Sequence, residues 1–88
     1  MKINSGYLLR EIAGTHVVVP VGERVIEFKG MMTLNETGIF IWEKLQVESS
    51  FDDTLDLILD SYDVDADTAK ADLEEFLSLA RKNGVLEE

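Results

Sequence analysis

Cysteine is absent from this 88-residue chain, and proline, histidine and tryptophan each occur once. Without a thiol there is no disulfide, no thiolate metal ligand and no cysteine nucleophile, a usage that fits a cytoplasmic protein. The lone histidine, His16, sits in a β-branched run with no serine or acid placed to form a catalytic relay. The glycines are scattered singly, so no phosphate-cradling loop is present. No catalytic residue, cofactor or metal site is therefore expected. Long apolar runs are missing too: none approaches the roughly 20 residues that cross a bilayer. The opening "MKINSGYLLREIAG" makes a poor secretion signal, because its apolar stretch ends at Arg10.

Positive charge is scarce. Eighteen acidic residues face eight basic ones, for a net charge of −10. Such a field repels phosphate backbones and anionic lipid, which argues against nucleic-acid and membrane partners. The acid is uneven: between Glu48 and Asp67 there are eight carboxylates and no Lys or Arg. The plain reading is a solvated helical surface; the sharper ones are a cation site or a basic partner.

What is present is a 45% hydrophobic, 30% charged chain, suited to one small globular domain over residues 1–88. The first third reads as strands at about 7–12, 15–21 and 25–29. Ala13-Gly14 and Gly22-Glu23 supply turns, and Pro20 belongs near a strand end because it lacks a backbone donor. Helices follow at about 35–46, 51–62 and 66–83. Thr33 and Glu36 have capping-box spacing, with Asn35 as an alternative N-cap, and Gly38 permits close packing. Ile39-Phe40-Ile41-Trp42 steps round the axis by about 100° per residue, so the first helix is apolar on nearly every side and must be central. Ser50 caps the second helix, whose stripe is Phe51, Leu55, Ile58, Leu59 and Tyr62. The third carries Ala69, Leu73, Phe76, Leu77 and Ala80 and ends at Asn83-Gly84, with Val85 and Leu86 folding back. The expected fold is α+β and winged-helix-turn-helix-like: a three-stranded antiparallel sheet followed by three helices.

Three stretches, "LNETGIFIWEKL", "FDDTLDLILDSYDVD" and "DLEEFLSLARKNGVL", resemble in order and spacing the PqqD family, named for pyrroloquinoline quinone biosynthesis. The resemblance is best over residues 34–86. It departs at Gly30-Met-Met32 and at Gln46-Val-Glu-Ser-Ser50, where family members tend to carry Pro-Glu and an Asp-Gly turn. It implies a non-catalytic recognition element for ribosomally made, post-translationally modified peptides. Such a module binds the leader of a precursor peptide and presents it to a radical S-adenosylmethionine enzyme or a leader peptidase; apart from the resemblance, an open strand edge makes a monomer or weak homodimer the expected state. The resemblance places the groove between the third strand and the third helix. Val25, Ile26, Glu27, Phe28 and Lys29 are then the expected strand edge, and Lys70, Leu73, Glu74 and Leu77 the helical wall. Phe28, Leu73 and Leu77 fit an ordinary core equally well.

Other classes fare worse. A DNA-reading helix needs basic side chains, whereas residues 65–82 carry five acids and three bases. The run from Asp63 to Glu74 puts carboxylates at positions 1, 3, 5 and 12 of a calcium loop, but Thr68 stands where glycine is needed. The alternative function is thus an acidic protein-interaction or calcium-binding module unconnected with peptide modification.

Overall fold

A computed structural model describes residues 1–22 and 32–87. The chain opens with a two-residue strand, β1 (Lys2–Ile3), and a hairpin of β2 (Tyr7–Ile12) and β3 (Thr15–Pro20). After the segment outside the described residues comes β4 (Met32–Leu34), then the helices α1 (Glu36–Lys44), α2 (Phe51–Ser61) and α3 (Ala66–Lys82), and finally β5 (Leu86–Glu87).

The hairpin turns on two residues. Ala13 and Gly14 take φ of +52° and +83°, so both central positions are left-handed, as a tight turn matched to strand twist requires. Ile12 then faces Thr15, and the ladder runs back to Tyr7 opposite Pro20, the last residue of β3. Pro20 thus stands at a strand end, as its missing N–H demands. The sheet is antiparallel in the order β2-β3-β4, with Val18 opposite Met32, Val17 opposite Thr33 and His16 opposite Leu34. It is the expected three-stranded sheet followed by three helices, an α+β fold.

The strand bonded to β3 is residues 32–34, directly before the first helix; the stretch 25–29 lies outside the described residues. Three residues are too few to show a period, and Thr33 doubled as a helix-cap candidate. The structure assigns the cap to Asn35, whose Oδ1 accepts from the Gly38 N–H at 2.8 Å. Ser50 and Asp65 do the same for α2 and α3, accepting from Asp53 N–H at 3.1 Å and Thr68 N–H at 2.7 Å. Each cap satisfies an amide that the helix cannot bond internally. The Thr68 amide and hydroxyl hold the Asp65 carboxyl below the usual carboxylate range by stabilising its charged form.

The core lies between the inner face of the sheet and the helices. Val18, Ile41, Leu45, Ile58, Leu73, Ala80 and Val85 have no exposed surface, and Trp42 is 6% exposed. Helix α1 contacts β4, α2 and α3. Its continuous apolar run is used on three sides: Ile41 and Trp42 enter the core, while Phe40 meets Tyr62 edge-on at 5.2 Å and lies under the Lys44 ammonium at 5.1 Å. Gly38 allows the start of α1 to sit tightly on the end of β4. A β-carbon there would be 3.2 Å from Asn35 Oδ1 and 3.3 Å from Leu34 Cβ.

The strands β1 and β5 pair with each other in a second small sheet, with Lys2 opposite Glu87 and Ile3 opposite Leu86. The Ile3 N–H donates to the Leu45 carbonyl at 2.8 Å, and the Asn4 N–H to the Val85 carbonyl at 2.7 Å. The sequence reading has Val85 and Leu86 folding back past the helix end but shows no partner for them, because the two-residue strand at Lys2–Ile3 has no readable alternation.

Candidate functional site

A groove of about 270 Å³ runs between β4 and α3. Its sheet side is Met32, Thr33 and Leu34, its end is Asn35, Thr37 and Gly38 at the start of α1, and its helical side is Asp72, Glu75, Phe76 and Leu79. Met32 and Phe76 are buried at 1% and 4% exposure, whereas Thr33 and Glu75 are exposed and Leu34 and Asp72 half-buried. The site therefore has an apolar floor and a polar rim. Strand β4 is hydrogen-bonded to β3 on one side, and among the described residues no strand pairs with the other.

Helical geometry explains which side chains face the groove. At about 100° per residue, Asp72, Glu75, Phe76 and Leu79 span roughly a 100° arc on one flank of α3. Leu73 and Leu77 come next round the helix and are buried in the core at 0% and 2% exposure. Lys70 and Glu74 follow on the far flank, exposed. Of the four helix residues read from sequence, none lines this groove. The five strand residues Val25, Ile26, Glu27, Phe28 and Lys29 fall outside the described residues. Asp72, Glu75 and Leu79 went unread because they look like ordinary surface positions. One signal was available: Leu79 is a large apolar residue on an otherwise polar flank, at i+3 from Phe76, and it is 37% exposed.

Among the described residues the charged groups of the groove are of one sign: Asp72 and Glu75 line it, and no Lys, Arg or His does. Among the described residues neither carboxylate has an ion pair or a side-chain hydrogen bond. The calcium alternative finds no loop to support it. Helix α3 begins at Ala66, so Asp67 and Glu74 are already helical, and Asp65 serves as the N-cap. Oxygens on a regular helix cannot wrap one ion as a twelve-residue loop does. His16, half-buried on β3, lies with Nε2 3.7 Å from Glu11 Oε2 across the hairpin. No helix among the described residues is long and apolar enough to cross a membrane.

A short antiparallel wing, a helix-turn-helix and a groove between the wing's last strand and the final helix together define a winged-helix-like α+β module. Residues 15–86, well over half of the chain, match the family described as coenzyme PQQ synthesis protein D (PqqD). The chain belongs to the PqqD family. It is also similar to a solved structure, TbiB1 in complex with the TbiA(beta) leader peptide. The likeness has a TM-score of 0.72 and 25% sequence identity, over 99% of this chain and 95% of that one. No curated protein matches the chain.

Proposed function

We propose that this chain is a non-catalytic module that captures the leader segment of a ribosomally synthesised precursor peptide. The leader adds as a strand along the open edge of β4, and the module presents it to a modifying enzyme such as a radical S-adenosylmethionine protein or a leader peptidase. The observation that carries this reading is an edge of β4 that no strand among the described residues pairs with, facing an apolar-floored groove. Strand addition needs those two things: main-chain groups free to pair, and pockets for alternate side chains. Membership of the PqqD family and the likeness to a protein bound to a leader peptide support it independently.

In this reading the outward-pointing main-chain groups of β4 offer pairing, while Phe76 and Leu79 give the incoming strand apolar surface. Leu73 and Leu77 hold α3 in place from the core side. Ordering a flexible segment costs several kcal/mol, so a Kd of about 1 μM, near −8 kcal/mol, is the expected scale.

The test is an amide NMR titration with leader peptides of candidate precursors. Shifts should cluster at residues 32–38 and 72–79, and Leu79→Glu should abolish them while leaving the circular dichroism unchanged. Saturable binding whose shifts avoid both walls of the groove, or that survives Leu79→Glu in a folded chain, would remove the proposal.

A further inference from the structure

The helical wall of the groove is not uniform along its length. Asp72 and Glu75 come first, and Phe76 and Leu79 follow toward the C-terminus of α3. The centre of the acidic pair precedes the centre of the apolar pair by four residues, which is about 6 Å along a helix axis. Alternate side chains of an extended strand are spaced at about 6.7 Å, twice the rise per residue. A strand lying along the groove therefore sets two successive same-face side chains against the acidic and the apolar portions in turn.

We propose that the segment taken by this groove is basic at one position and apolar two residues away, a Lys/Arg-x-apolar pattern whose cation meets Asp72 and Glu75. This deepens the peptide-capture reading and rests on it. Three observations favour a cation over any other side chain. Both carboxylates line the groove without a cationic partner among the described residues, Asp72 is half-buried, and the molecule carries a net charge of −10 that draws a basic segment in and repels an acidic one. An acidic residue at that position would place like charges together in a partly desolvated cleft, which disfavours it.

The probe is a displayed library of random nine-residue peptides, selected against the full chain and, in parallel, against Asp72→Lys/Glu75→Lys. Groove binders are identified by loss of capture on Leu79→Glu. The wild-type chain should enrich Lys or Arg two positions from Leu, Ile, Val or Phe, and the reversed chain should enrich Asp or Glu at the basic position. With one enriched basic peptide, Asp72→Asn/Glu75→Gln should weaken binding about tenfold, the sum of two partly exposed ion pairs. Added salt should weaken wild-type binding more than that of the neutralised chain. The neutralised chain keeps near-isosteric side chains, so it serves even if the reversed one fails to fold. Groove binders without charge preference, or with the same preference on both chains, overturn the basic-segment proposal and leave peptide capture standing. A library without any groove binder overturns both.

Discussion

The hydroxyl of Tyr7 donates a hydrogen bond to the backbone carbonyl of Asn83, 3.3 Å away in the buried interior. It ties the first residue of β2 to the C-cap of α3, 76 positions along the chain. The same end of α3 is closed by the Asn83 side-chain amide donating to the Leu79 carbonyl at 3.0 Å, and Gly84 follows at φ +71°. Sheet and last helix, the two walls of the groove, are thus joined by a polar contact as well as by the core.

Tyr7→Phe keeps the ring and deletes that donor. It should lower stability by about 0.5–1.5 kcal/mol, the net worth of a buried hydrogen bond. Urea unfolding measures the loss, and hydrogen exchange should speed most around Gly84 and Val85. An unchanged midpoint would show that the contact contributes nothing.

Ala13 occupies left-handed backbone at φ +52°, where an alanine β-carbon is disfavoured. Ala13→Asn creates the Asn-Gly pair that two-residue hairpin turns prefer. The substitution should stabilise the chain by about 1 kcal/mol, seen as a higher thermal midpoint. A lower midpoint would mean that the turn has another geometry in solution.

Leu73 and Leu79 mark the core-facing and groove-facing sides of α3. Leu73 has no exposed surface, and Leu73→Ala should cost about 2–5 kcal/mol. Leu79→Ala, at a position 37% exposed, should cost under about 1 kcal/mol, within the range of surface changes. Denaturant midpoints of the two variants, compared side by side, decide the assignment; equal losses would contradict it.

The Asp65 carboxyl is held below the usual range by the hydrogen bonds from Thr68. A depressed folded pKa means that the unfolded chain takes up the proton first as pH falls. The stabilisation is complete above the ordinary Asp value of about 4 and is lost as pH drops through the lowered one. Asp65→Asn retains a good N-cap without titrating. The parent should therefore be the more stable of the two above about pH 5, and the gap should close on acidification through that window. A gap that does not vary with pH would show that the charge has no part in the cap.

Much was legible before any coordinates because it is local. Asn35 and Ser50 start helices through bonds spanning three residues, and Ala13-Gly14 closes a hairpin through its own dihedral angles. The four-residue apolar run of α1 carried longer-range news, since a helix without a polar side needs neighbours on every side, and α1 has β4, α2 and α3. The pairing of Lys2–Ile3 with Leu86–Glu87 joins opposite ends of the chain through elements of two residues, which no periodicity reveals.

By itself, then, the sequence determined the order and approximate limits of the helices, the first hairpin, the acidic field and the apolar stripe that α3 turns inward. Tertiary structure alone decided which flank of that stripe faces the sheet. Lys70 and Glu74 lie on one flank, Asp72 and Glu75 on the other, and both flanks are charged and compatible with the same buried Leu73 and Leu77. Helical spacing defines the inward direction but is silent on where the neighbouring strand ends. The short strand Met32–Leu34 fixes that boundary, held against the start of α1 by the close approach of Leu34 and Gly38.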